Sequence, residues 1–159
     1  MFVEVKVGAL IMDPNSNTPI VVLKGVDGEA ILPIWVGAYE ANAIALEIEK
    51  IVSPRPMTHD LLRNIITELK CQVEKILVSD LLDNTFYAII EIKDIEGNII
   101  SIDARPSDAI ALALRTDCPI FVAKKVLDIS NASTSLQPKL DEEFEETQKP
   151  LEEWPDLIG

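Results

Sequence analysis

Several chemistries are excluded by what this chain has little of. Its 159 residues include two cysteines, Cys71 and Cys118, and one histidine, His59. The cysteines stand far apart without a Cys-x-x-Cys spacing, and a structural zinc site needs four Cys or His ligands, so no zinc site is expected. Two free thiols suit a reducing compartment, and a cytoplasmic location is expected. With six glycines there is no glycine-rich phosphate loop of either common spacing. Ser107 has no Gly-x-Ser-x-Gly context and neither cysteine has an obvious base, which leaves nucleophilic catalysis without support. The four Phe, two Trp and two Tyr do not interleave with basic runs, so stacked binding of single strands is unsupported. No apolar run approaches the ~18 residues of a membrane span, and the N-terminus lacks a signal-peptide pattern. Positive charge is scarce as well: Lys+Arg 14 against Asp+Glu 27 gives a net −13. That balance argues against a basic groove that neutralises phosphates along a nucleic acid.

What is present is a chain 48% hydrophobic, enough for the core of one domain. The acidity is uneven. Residues 137–159 hold eight acidic side chains against two lysines, together with Pro138, Pro150 and Pro155. The reading is therefore an α+β domain over residues 1–130 and an acidic, Pro-containing tail over 131–159, solvated and mobile. Trp154 in that tail either stays untethered or docks on the body or a partner.

Phe2 to Met12 opens with alternation, Val3, Val5 and Val7 against Glu4 and Lys6, which predicts a half-buried strand. Asp13-Pro14-Asn15-Ser16-Asn17 is turn chemistry, Ile20 to Leu23 a second strand, and Asp27-Gly28 a hairpin leading into a third through Ile31, Leu32, Ile34 and Trp35. Ala38 to Val52 reads as a helix with Ala41, Ile44, Ala45, Ile48 and Val52 on one face, widened by Ala43, Leu46 and Ile51. Ser53-Pro54-Arg55-Pro56 breaks it. Thr58 then caps a second helix whose buried stripe is expected at Leu61, Leu62, Ile65, Ile66 and Leu69. Strands follow at Val73–Leu81, Thr85–Lys93 and Ile99–Asp103. Ser107 caps a short helix, Asp108 to Arg115, and Ile120-Phe121-Val122 ends the pattern. The order βββ-αα-βββ-α-β predicts an α+β fold with about three helices and a mixed, largely antiparallel sheet. A weak internal echo accompanies it: Ala43-Ile44-Ala45-Leu46 returns as Ala109-Ile110-Ala111-Leu112, and Arg55-Pro56 as Arg105-Pro106.

Three clusters could carry chemistry. Asp103-Ala104-Arg105-Pro106-Ser107-Asp108 joins a strand end to a helix start, an arrangement that can aim two carboxylates at one cation and an arginine at an anion. Such parts suit metal-assisted phosphodiester cleavage. They equally suit a first-turn Asp complementing the helix dipole and a local ion pair. In Arg55-Pro56-Met57-Thr58-His59-Asp60, the chain's single histidine suits proton transfer, or is a tolerated polar residue at a helix start. Glu40 and Glu47 share a face of the first helix about 10 Å apart, too far for one ion, though either could complete a site built elsewhere. A solvated face or an oligomer salt bridge is the plain alternative.

Four stretches taken in order resemble one family. They are Leu32-Pro33-Ile34-Trp35-Val36-Gly37, Glu40-Ala41-Asn42-Ala43-Ile44-Ala45, Pro54-Arg55-Pro56-Met57-Thr58-His59-Asp60-Leu61 and Asp103 through Leu112. Over roughly residues 1–130 the chain is similar to the bifunctional nuclease domain family of bacteria and plants. The resemblance implies a small α+β protein with DNase and RNase activity in some members, and it brings no settled catalytic set. Joined to the clusters, it leads to the expectation of a nuclease hydrolysing DNA, RNA or both with Mg²⁺ or Mn²⁺. His59, Asp60, Arg105 and Asp108 are then the catalytic candidates, Arg55, Arg105 and Ser107 the phosphate-binding ones, and Asp103, Asp108 and Glu40 the metal ligands. Nucleic acid would be held weakly and locally, and a homo-oligomer, with a dimer favoured, is expected. The alternative is a non-enzymatic oligomeric module that binds a small anion or a protein partner.

Overall fold

The computed structural model describes residues 1–133. The chain forms β1 (Phe2–Met12), β2 (Pro19–Gly25), β3 (Ile31–Trp35), α1 (Ala38–Ile48), α2 (Thr58–Glu68), β4 (Gln72–Leu82), β5 (Thr85–Lys93), β6 (Ile99–Ala104), α3 (Pro106–Thr116), β7 (Ile120–Ala123) and α4 (Lys124–Ser133). Seven strands make one sheet in the order β3-β2-β1-β7-β4-β5-β6. β4 and β7 pair in parallel, whereas the other neighbours are antiparallel. The sheet is therefore mixed and largely antiparallel, as expected. The β4–β5 hairpin turns through Asp83 and Asn84 at φ of 51° and 61°, the left-handed pair that tight hairpins require.

The alternating valines of β1 face the core as expected, with Val5 buried and Val3 and Val7 packed at its margin. Val21, Leu23, Ile76, Val78 and Ala88 from the sheet meet Ala41, Ile44, Ala109, Ile110 and Leu112 from the helices in one cluster. From the apolar echo, Ala43 and Ile44 lie inside it together with Ala109 through Leu112, and α1 and α3 pack on each other. Their small alanines let the two backbones approach closely.

Four local expectations are corrected. α1 stops at Ile48, a turn early, because Lys50 adopts φ 55° and reverses the chain; Ile51 and Val52 are left exposed. Neither hydroxyl caps a helix. Met57 is the N-cap of α2, whose N–H is satisfied by the Asp60 carboxylate, and Arg105 is the N-cap of α3 with Pro106 following. The expected stripe of α2 faces outward: Leu61, Leu62, Ile65 and Leu69 are exposed, while His59 is buried and Arg63 and Ile66 are half-buried. Spacings of four and three residues put these last three on one face, so α2 rests on the body by its more polar side. Finally, α4 follows β7 without an intervening turn. It buries Val126, Leu127 and Ser130, too short an apolar signal to be read from periodicity. α4 spans Lys124–Ser133, and the acidic tail lies outside the described residues from position 134.

Candidate active site

The first turns of two helices meet at one guanidinium, and a third joins them through a shared carboxylate. Arg105, the N-cap of α3, donates from Nε to Asp108 Oδ2 at 2.8 Å and from Nη2 to Glu40 Oε1 at 2.7 Å. Glu40 lies in the first turn of α1 and Asp108 in the first turn of α3, where an acidic side chain also complements the helix dipole. The second oxygen of Asp108 meets His59 Nε2, on the first turn of α2, at 2.9 Å. Glu40, His59, Arg105 and Asp108, drawn from three separate stretches, thus form one continuous chain of contacts.

Electrostatics assign the protons. Burial opposes the charge on Asp108, but hydrogen bonds from Arg105 and His59 outweigh it and hold the carboxyl below its ordinary range. Hydrogen bonding to Asp108, and secondarily to Glu40, raises the Arg105 guanidinium above its ordinary value. An ionised carboxylate only accepts, so His59 donates from Nε2. In a neutral imidazole the free lone pair is then on Nδ1. Among the described residues no enclosed side-chain nitrogen or oxygen lacks a hydrogen-bond partner. Nδ1, which has none there, is consequently within reach of solvent.

Gly37 sets the position of Glu40. Its backbone, φ −71° and ψ 158°, is open to any residue. Space is what matters: a Cβ at Gly37 would collide with the Glu40 carboxylate, so that carboxylate can lie back over the N-cap only because no side chain is there.

The other candidates fall elsewhere. Asp60 does not join the chain of contacts. It accepts from Met57 N at 3.0 Å and from Arg115 Nε at 2.8 Å. Burial opposes its charge, yet the bond from Met57 and the Arg115 pair keep its carboxyl below the ordinary range. Ser107 is buried in the first turn of α3, and Arg55 is exposed ahead of α2; among the described residues no ion pair links Arg55 to the cluster. Asp103 is exposed on β6 opposite Ile89. Glu47 pairs with Lys50 at 3.1 Å. Sequence reasoning missed Arg115, which is buried and bonds the Ala111 and Ala43 carbonyls as well as Asp60. Its one signal was an arginine within a strongly apolar helix, which at a helix C-terminus also reads as dipole complementation.

A divalent ion would find its nearest carboxylates, Glu40 and Asp108, already joined by Arg105. Among the described residues no three His, Cys, Asp or Glu side chains are gathered to hold a metal. As arranged, the donors do not fit an ion unless the guanidinium leaves. Cys71 and Cys118 are both free and half-buried, and burial raises the Cys118 thiol.

An α+β domain with an acid–arginine–histidine cluster at three converging helix starts is the class defined so far. The chain belongs to the bifunctional nuclease domain family, which matches residues 21–135. It is 39% identical over 140 residues to an uncharacterized protein of Mycobacterium tuberculosis, covering 88% of this chain and 82% of that one. Similarity extends to bifunctional nuclease 1 of Oryza sativa subsp. japonica, 27% identical over 127 residues, 78% of this chain and 38% of the rice protein. It reaches bifunctional nuclease 1 of Arabidopsis thaliana at 28% over 110 residues, 67% of this chain and 34% of the plant protein.

Proposed function

We propose that this protein hydrolyses phosphodiester bonds in nucleic acid, with His59 as the proton-transfer group and Arg105 on the phosphate. The observation that carries the reading is Asp108, whose two oxygens hold His59 Nε2 at 2.9 Å and Arg105 Nε at 2.8 Å. One carboxylate thereby orients both a base and a cation. Arg105 is well exposed, and with Nε and Nη2 engaged it offers Nη1 to a phosphate oxygen beside the N–H groups of the α3 N-terminus. Nδ1 of His59 takes a proton from the attacking hydroxyl, of water or of a ribose 2′ position. The new P–O bond forms as the bond to the leaving oxygen breaks, and the imidazolium returns its proton to that oxygen. Glu40 holds the far edge of Arg105.

Mg²⁺ or Mn²⁺ remains part of the proposal only as an ion that competes with Arg105 for Glu40 and Asp108. Two carboxylates against one guanidinium leave a local negative excess that a cation would offset. The family supports a nucleic acid substrate, and the names of the plant relatives carry the word nuclease. No helix among the described residues is long and apolar enough to cross a membrane, and the free thiols fit the cytoplasmic setting proposed here.

The test is repurified protein assayed on RNA and DNA, with Mg²⁺, with Mn²⁺ and with chelator, beside His59→Ala and Asp108→Asn. Cleavage that co-elutes with the protein and falls at least 100-fold in both variants is expected, in line with general acid–base contributions of about 10²–10⁴. Activity that persists in both, or separates from the protein on a column, overturns the reading.

A second reading rests on the outward face of α2, where Leu61, Leu62, Ile65 and Leu69 are all exposed. Such a patch suits association between copies, the oligomeric module of the alternative, and a dimer is the simplest closed form. Light scattering separates the two: a stable oligomer without cleavage favours the module.

A further inference from the structure

Arg115 has no part in the reaction written above, yet its side chain is only 2% exposed. Its three bonds point in three directions: Nε to Asp60 Oδ1 at 2.8 Å, Nη1 to Ala111 O at 2.9 Å and Nη2 to Ala43 O at 3.0 Å. One guanidinium therefore ties α1, α2 and α3 together within a turn or two of the His59–Asp108 contact. Asp60 closes the link from the other side. Its second oxygen accepts the N–H of Met57 at 3.0 Å, so the carboxylate that grips Arg115 also fixes the residue from which α2 starts.

We propose that Arg115 and Asp60 are a positioning pair that sets the rotation and height of α2 on α3, so that the imidazole of His59 meets Asp108. This rests on the reading of His59 and Asp108 as the proton-transfer pair. The need for such a device follows from the packing. α2 turns its leucines outward and presents His59, Arg63 and Ile66 to the body. Ile66, partly buried, is the one apolar side chain among those three, and apolar contact is non-directional, so it cannot fix the rotation of the helix about its axis. A directional ion pair whose arginine is buried and whose carboxylate is half-buried can, and fixing register is the best supported use of such pairs. Arginine is required because its planar fork reaches three acceptors at fixed angles; lysine would supply a single point charge.

With one histidine in the chain, ¹⁵N-labelled protein reports on His59 alone. The wild type should show the Nε2-protonated tautomer with that proton shielded from exchange by Asp108. In Arg115→Lys, and in the isosteric Asp60→Asn, the Nε2 proton should exchange at least ten-fold faster and the tautomers should mix. Turnover should fall at least ten-fold with little change in KM, while backbone signals of the sheet keep their positions. The double variant should be no worse than the poorer single one. Thr116→Val removes the neighbouring bond to Leu112 O at 3.0 Å, and should leave the imidazole signals unchanged. If Arg115→Lys does not fold, Asp60→Asn carries the test. Wild-type imidazole signals and turnover in a folded Asp60→Asn or Arg115→Lys would overturn the proposal, as would a wild type without the shielded Nε2 proton. A wild type that cleaves nothing, but whose tautomers mix in both variants, keeps the positioning pair and removes the hydrolase reading instead.

Discussion

Asp108 uses its two oxygens on two different elements, and that division explains why the site was only partly legible. Arg105, Ser107 and Asp108 could be singled out from one short stretch because they flank a helix start. Nothing in their spacing says that Asp108 turns to His59, 49 residues away, or that Arg105 reaches Glu40, 65 away. Long-range pairing is a property of the packed helices. Asp60 shows the converse, since its position beside His59 suggested chemistry, whereas both its oxygens hold structure. Two outcomes follow at this scale. Gly37→Ala should displace the Glu40 carboxylate from Arg105 and lower activity about ten-fold, with a loss of stability under about 1 kcal/mol, checked by kinetics beside urea unfolding. Asp60 and Asp108 both have carboxyls held below the ordinary value of 3.8. Their ionised forms thus stabilise the fold above that value, and the contribution is lost as pH falls through the lowered values. Thermal melts below about pH 4 should drop more steeply for the wild type than for Asp60→Asn or Asp108→Asn.

α2 is the element where periodicity located a stripe but put it on the wrong side. Leu61, Leu62, Ile65 and Leu69 have helical spacing, and burial of the apolar face is the usual outcome. Here the ion pair between Arg115 and Asp60, together with the His59–Asp108 contact, turns the other side inward. Replacing Arg115 by Ala should cost about 3 kcal/mol, because it leaves the half-buried Asp60 carboxylate without its cation; urea unfolding measures it. Leu61→Glu with Ile65→Glu should leave the melting temperature within about 3 °C of wild type. If copies associate through this face, the same pair should yield a monomer by light scattering. The strands were legible because β-branched alternation and turn residues agree, as in β1 and in the Asp27-Gly28 hairpin between β2 and β3. α4 was not, since it has neither a turn before it nor a broad apolar face.

For the whole molecule, the net charge of −13 argues against a basic groove that tracks a nucleic acid. The fold narrows that objection. No basic groove is required when a single exposed guanidinium, held by Glu40 and Asp108, stands at the junction of three helix starts. Binding should accordingly be weak and show a shallow salt dependence, since few phosphates are neutralised. Among the described residues, Val126 and Leu127 are the last members of the core. Truncation after Gln137 should leave the melting temperature within about 3 °C of the full chain; a truncated chain that fails to fold would show that the tail completes the core. Above all, His59 and Asp108 are held to act as one unit in cleaving a phosphodiester. The direct measurement is the cleavage rate of His59→Ala, Asp108→Asn and the double variant, prepared and repurified side by side. The expected result is a loss of at least 100-fold in each single variant and no substantial further loss in the double. Losses that multiply, or single variants that cleave like the wild type, would contradict it.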